Sequence, residues 1–188
     1  MRVITGKAKG IRLKTLEGLD VRPTTDRVKE GMFSAIQFQI PQARVLDLFA
    51  GSGQLGIEAL SRGAKQAVFI DQSAEALNIV KENLKKTNLT DYAELYQKSA
   101  EQYLRFCPDQ SFDLIFLDPP YRNQILEKIL PEISRILKPH GKIIAEHEIN
   151  CSLPEEISDL ILQKNYFYGK IVVSVFSEKI NAEQETDL

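Results

Sequence analysis

The chain reads as short apolar runs alternating with amphipathic stretches. From Arg44 onward the alternation is regular. Arg44–Phe49, Lys65–Asp71, Tyr92–Tyr96, Phe112–Asp118 and Gly141–Glu148 are runs of strand length. Phe112–Asp118 is almost continuously apolar, as a strand covered on both faces must be. Between them lie helical patterns over Gln54–Ser61, from a Ser73 cap to about Thr87, over Glu101–Phe106 and over Gln124–Leu137. Gly63 stands where a helix ends, and Pro131 is expected to interrupt the last of these helices. Ser152-Leu153-Pro154-Glu155 has the form of a capping box and predicts one more helix. Tyr166–Tyr168 and Lys170–Phe176, flanking Gly169, predict a terminal antiparallel pair.

The first forty residues follow another pattern. Arg2–Thr5 and Ile11–Lys14 are strand-like runs around Gly6-Lys7-Ala8-Lys9-Gly10, which predicts a small hairpin with few apolar contacts and hence some mobility. A helix capped by Thr24 or Thr25 comes next, to about Phe38, with Val28, Met32, Ala35 and Ile36 on one face. The expected organisation is an appendage over residues 1–40, a doubly wound, mostly parallel seven-stranded α/β sheet over 41–177 with its last strand antiparallel, and a disordered tail over 178–188. Ligands of such sheets bind beyond the carboxyl ends of the strands, so the informative residues are those just after strands.

Composition adds little until the charge is resolved along the chain. The 188 residues carry a net charge of −2. Residues 1–16 alone carry +5, from Arg2, Lys7, Lys9, Arg12 and Lys14, leaving −7 on the rest. A basic arm on an acidic body points to nucleic acid, or else to a solvated terminal strand pair rich in lysine. Two cysteines with no paired spacing, no long apolar stretch and a start lacking an apolar block lead to the expectation of a cytoplasmic protein with no membrane span and no metal.

Candidate chemistry sits after two strands. Asp47-Leu48-Phe49-Ala50-Gly51-Ser52-Gly53-Gln54-Leu55-Gly56 closes the first core strand and opens a helix, and its glycines formally satisfy GxGxxG. Asp71 ends the next strand, where a carboxylate can accept both hydroxyls of a ribose. A nicotinamide dinucleotide and S-adenosylmethionine both fit so far. The dinucleotide would bring a pyrophosphate to the helix start, whereas S-adenosylmethionine brings cationic groups for which Asp47 is useful.

The second site separates them. Asp118-Pro119-Pro120-Tyr121 comes directly after the apolar strand. Two prolines remove two N–H donors and leave an acceptor-rich end with an aromatic face. Such a site suits an exocyclic amine on a planar ring: Asp118 and a proline carbonyl accept its hydrogens while Tyr121 stacks on the ring. Acceptors there stabilise the positive charge that develops on nitrogen during methyl transfer. An oxidoreductase would leave these four residues without a role, and a non-catalytic RNA-binding factor would leave both sites without one.

On Gly6…Lys9-Gly10…Leu13, Arg22-Pro23-Thr24-Thr25-Asp26-Arg27-Val28-Lys29-Glu30, Asp47–Gly53, Ser61-Arg62-Gly63-Ala64 and Leu117–Tyr121, the chain resembles the class I S-adenosylmethionine-dependent methyltransferases, and among them the 16S ribosomal RNA guanine-N2 methyltransferases known as RsmD. The resemblance spans residues 1 to 177. It implies a Rossmann-like fold with Gly51 and Gly53 under S-adenosylmethionine, Asp47 at its amino-acid end, Asp71 on its ribose, and Phe49, Ala50, Gln72, Ser99, Ala100 and Asp118 around it. It assigns Asp118, Pro119, Pro120 and Tyr121 to the target guanine. Lys7, Lys9, Arg12 and Lys14 are assigned to 16S rRNA or a small-subunit assembly particle, met by a monomer; Arg22 and Arg27 either join them or pair with Asp26 and Glu30 at the helix start. A DNA adenine or other amino-group methyltransferase is the alternative. The chain departs from the family pattern in having Gln54 after the glycines, Ser99 where related enzymes often carry an acid, and Asp71 in place of Glu.

Overall fold

A computed structural model describes residues 1–16, 25–119, 125–151 and 153–179. The regular part begins with β1 (Arg44–Asp47), α2 (Gln54–Ser61), β2 (Gln66–Asp71), α3 (Ala74–Thr87), β3 (Ala93–Gln97), α4 (Ala100–Leu104) and β4 (Phe112–Leu117). It continues through α5 (Ile125–Ile136), β5 (Leu137–Glu148), β6 (Glu156–Ile157), β7 (Leu160–Tyr168) and β8 (Ile171–Glu178). Helix α1 (Asp26–Ala35) precedes them, capped by the Thr25 side chain. One sheet holds the strands in the order β3-β2-β1-β4-β5-β8-β7-β6, with β1 to β5 parallel and β8 antiparallel to β5. These are the seven expected strands plus the two-residue β6 at the edge.

Residues 112–117 are buried on both faces apart from Asp113, as their unbroken hydrophobicity requires. Phe69, Leu114, Phe116 and Ile144 point to the face covered by α1, α2 and α3, while Val68, Ile115, Ile143 and Ala145 point to the face covered by α4 and α5.

Two expectations at the far edge are corrected. Pro131 lies inside α5 without breaking it, because Leu126, Ile129, Leu130, Ile133 and Ile136 are all buried by the helical spacing. Their transfer from water outweighs the roughly 3 kcal/mol that an interior proline costs. The capping-box pattern at 152–155 opens no helix. Its first residue, Ser152, lies outside the described residues, and the chain continues into β6 and then β7, which pairs with β8 along its length. The ladder gives that backbone its partners, and the period-2 spacing of Tyr166 and Tyr168 packs them on the α1 face. The tail expected from 178 is still strand at Glu178, and residues from 180 lie outside the described ones.

The hairpin is present, and it packs on the body instead of standing with few apolar contacts. Arg2 and Arg12 form an antiparallel bridge, Val3 N–H donates to the Ile11 carbonyl at 3.0 Å, and Gly10 N–H donates to the Val3 carbonyl at 2.8 Å. Val3, Ala8 and Leu13 are buried in the same core cluster as α1 and α2. The reason is Glu58 on α2. Its carboxylate accepts the Ile4 and Thr5 amides at 2.8 and 3.0 Å and Arg62 Nε at 2.8 Å, and lies 3.4 Å from Lys29 Nζ of α1. Lys29 Nζ also donates to the Arg2 carbonyl at 2.6 Å. The Lys29 and Glu58 side chains have no solvent exposure; burial pushes the Lys29 ammonium below its usual range and Glu58 pulls it back. At the hairpin tip, Lys7 N–H donates to the Ser61 carbonyl at 2.8 Å. Gly6 (φ +90°) approaches so closely that a Cβ there would lie 1.8 Å from that oxygen.

Removing one partner of a buried ion pair strands the other. Glu58→Ala should therefore lower stability by about 3–5 kcal/mol in urea unfolding; a loss below about 1 kcal/mol would show that the carboxylate does not hold the hairpin and α1 together. Gly6→Ala should release the hairpin tip, seen as tryptic cleavage at Lys7 or Lys9 that the parent resists.

Candidate active site at the carboxyl ends of the central strands

The chain leaves β1 for β2 and β3 on one side, then returns to β4 and β5 on the other. The crevice at this reversal is bordered by the ends of β2, β1 and β4, which lead into Asp71, Asp47 and Asp118. Asp47 is 1% exposed, and its Oδ2 accepts the Gly56 amide of α2 at 3.0 Å. Burial pushes its carboxyl up to about 7, against the pull of the Gly56 N–H and with a further push from Asp71. Asp71 uses both oxygens locally: Oδ2 accepts the Gly51 amide at 2.9 Å and Oδ1 the Ser73 amide at 2.8 Å. The carboxylate that ends β2 thus shapes the turn after β1.

That turn is left-handed at Gly51 (φ +52°) and at Gly53 (φ +78°), where α2 begins. Gly53 N–H donates to the Ala50 carbonyl at 2.6 Å, and Ala50 N–H donates to the Ile70 carbonyl of β2 at 2.9 Å. A Cβ on Gly53 would sit 3.1 Å from both methyls of Val80, so glycine is needed there for both conformation and space.

Most of the residues expected at the cofactor site lie around this turn. Phe49 is half-buried, Ala50 is buried and Gln72 is exposed. Lys98 N–H donates to the Asp71 carbonyl at 3.1 Å, which brings Ser99 and Ala100 beside the end of β2. Ser99 caps α4 by accepting the Gln102 amide at 3.2 Å and donating its own amide to Gln102 Oε1 at 3.0 Å. Its hydroxyl keeps a hydrogen for a ligand. Asp47 is in register with Phe116, so the Asp118 backbone lies two residues further along the next strand, roughly 7 Å. Asp118 is half-buried and Pro119 buried; Pro120 and Tyr121 lie outside the described residues.

The basic residues are presented outward. Lys7, Lys9, Arg12, Lys14 and Arg27 are at least partly exposed; Arg22 lies outside the described residues. Lys7 Nζ stands 6.0 Å from the Tyr92 ring centre, and Lys14 Nζ pairs with Glu82 at 2.9 Å. Asp26 pairs with Arg2 at 3.2 Å.

Glu146, Gln102, Gln54 and Asn83 carry more than their sequence context announces. Glu146 is 1% exposed, and since Ala145 pairs with Leu117, its place on β5 matches that of Asp118 after β4. No alternation marks it, since Ile143-Ile144-Ala145 is followed by Glu146-His147-Glu148. The Ser99–Gln102 capping box is legible as Ser-x-x-Gln. Gln54 stands out in the sequence only as a departure from the family pattern; its Oε1 is buried without a hydrogen-bond partner among the described residues. Asn83, which bonds to the turn, gives no sign at all.

The donor set selects among ligands. Two carboxylates border the turn, and one of them already holds the Gly51 amide that a phosphate would use. A pyrophosphate would meet repulsion there, whereas a ligand with cationic groups would offset the cost of ionising Asp47.

The family model described as "Conserved hypothetical protein 95" matches residues 1–177. The chain belongs to this family. The Bacillus subtilis protein YlbH is 43% identical over 183 residues, 95% of this chain and all of that one. The ribosomal RNA small subunit methyltransferase D of Haemophilus influenzae is 38% identical over 152 residues, 79% of each chain. Among solved structures, the Escherichia coli protein yhhF superposes with a TM-score of 0.84 at 29% identity, covering 95% of this chain and 98% of its own. The RsmD resemblance holds, and this family member is a methyltransferase with the class I fold.

The raised carboxyl of Asp47 fixes a sign. An acid whose pKa rises on folding favours the native state only while protonated, so its contribution is lost as pH climbs from about 4 to about 7. Asp47→Asn should gain stability relative to the parent over that interval and hold the gain above it. Urea unfolding at pH 5 and pH 8 measures this; a difference between the two proteins that does not change with pH would contradict it.

Proposed function

We propose that this protein transfers a methyl group from S-adenosylmethionine to the exocyclic N2 amine of a guanine in 16S rRNA. The observation that carries the reading is the row of carboxylates on neighbouring strand ends, with Asp118-Pro119-Pro120-Tyr121 directly after β4. The RNA substrate is supported by the rRNA methyltransferase among the relatives and by the outward-facing basic arm.

The cofactor, when bound, supplies an electrophilic methyl group on a sulfonium. Asp47 would hold its cationic amino-acid end, ionising as it does so. Each Asp71 oxygen accepts one backbone amide and keeps a second lone pair for a ribose hydroxyl. Asp118 and the Pro119 carbonyl would accept the two hydrogens of the guanine amine. That draws the nitrogen lone pair out of conjugation with the ring and stabilises the charge that grows on nitrogen. Asp118 can then take the proton that the product must lose. The guanine has to leave its stack to reach these groups, at a cost of a few kcal/mol that stacking on Tyr121 partly offsets. Lys7, Lys9, Arg12 and Lys14 would meet phosphates, joined by Arg22 and Arg27, and Ser99 would donate to the adenine.

Labelled methyl transfer to 30S subunits or deproteinised 16S rRNA tests this, with duplex DNA as competitor. Asp118→Ala should lower the rate by about 100-fold or more while S-adenosylhomocysteine still binds. Full activity of the variant, or preference for DNA, would overturn the assignment. Replacing the four arm residues should flatten the salt dependence of RNA affinity by about 0.7 per lost phosphate contact and leave cofactor affinity nearly unchanged; equal loss of both would assign the arm to folding alone.

A further inference from the structure

One buried side chain touches both the basic arm and the cofactor turn. Asn83, on the third turn of α3, is 1% exposed. Its Oδ1 accepts the Lys14 amide at 2.8 Å, and its Nδ2 donates to the Lys14 carbonyl and to the Ser52 carbonyl, each at 2.9 Å. Both hydrogens of the carboxamide are committed, one to the last basic residue of the arm and one to the middle residue of Gly51-Ser52-Gly53. Val80, one turn earlier on the same face of α3, packs against the position of Gly53. The turn and the end of the arm therefore rest on a single stripe of α3, through backbone groups 69 and 31 residues away from Asn83 in sequence.

An amide plane is rigid. When Ser52 shifts, Asn83 must either move with it or lose a buried hydrogen bond, and the same holds for Lys14. Leaving such a group unsatisfied is costly, so each side restricts the other. We propose that Asn83 is a positioning residue that couples seating of the basic arm to the shape of the cofactor turn, so that RNA held on the arm and cofactor held at the turn strengthen each other's binding. This rests on the cofactor and RNA assignments above. The linkage is reciprocal, so a change imposed at the turn must be readable at the arm without RNA present.

Amide hydrogen exchange on the full chain, with and without S-adenosylhomocysteine, reads this directly. In the parent, the ligand should slow exchange at Gly51–Gly53 and also slow the Lys14 amide by about fivefold. Asn83→Asp keeps the acceptor for the Lys14 amide and loses both donors, to the Lys14 carbonyl and to the Ser52 carbonyl. It should retain the response at Gly51–Gly53 and lose the response at Lys14. Asn83→Ala should lose it as well, with the amides of β1 and β4 still protected in both variants as proof of folding. Protection at the turn with no change at Lys14 in the parent overturns the coupling, as does a Lys14 response that survives in Asn83→Asp. No response anywhere in the parent overturns the cofactor assignment itself, and with it the coupling.

Discussion

Asp71, Asp47 and Asp118 stand at the ends of three neighbouring parallel strands, and like charges that close repel one another. The fold resolves the conflict differently at each position. Asp71 accepts two backbone amides, and in accepting them it forms the turn after β1. Asp47 is buried and shares one amide, so its carboxyl is held near neutrality in its proton affinity. Asp118 stands one strand over and half-exposed, beside prolines that bring no donors of their own. The crevice is consequently a place where positive charge and hydrogen-bond donors are welcome and phosphate is not. That bias suits a sulfonium cofactor and an amine substrate for the same physical reason.

The arm depends on a second buried charge. Glu58 has its carboxylate surrounded by the Ile4 and Thr5 amides, Arg62 and Lys29, all brought to one point on α2. The hairpin bonds within itself through Val3, Gly10 and Ile11 and is tied to this helix through Ile4, Thr5 and Lys7. Its cationic side chains are left facing outward while its backbone is fixed, which is a useful arrangement for meeting a polyanion. Under the proposed function the acidic body would repel RNA at large, so RNA contact would fall to the arm.

Much of this is legible along the chain. Strand β4 announces itself by unbroken hydrophobicity, α3 by its Ser73 cap and Leu77, Val80 and Leu84, and the site by acids placed just after strands. The features that local patterns miss have a common cause. Glu58 and Lys29 look like ordinary solvent-facing charges on amphipathic helices until the hairpin covers them, and Asn83 looks like any polar helix residue. Each acquires its role from a partner more than twenty-five residues away, which no local period encodes. The stretch after Ser152 differs from expectation for another reason: local capping chemistry points to a helix, and the open edge of β8 offers a ladder that local propensity does not weigh. Pro131 is a similar case, with core burial overriding a local rule.

A crystal structure with S-adenosylhomocysteine bound would place the reacting centre relative to the three carboxylates. The account predicts the amino-acid end against Asp47, the ribose hydroxyls on Asp71 and the sulfur facing Asp118 across a gap wide enough for a flat base. A ligand lying elsewhere, or a sulfur turned away from Asp118, would contradict it.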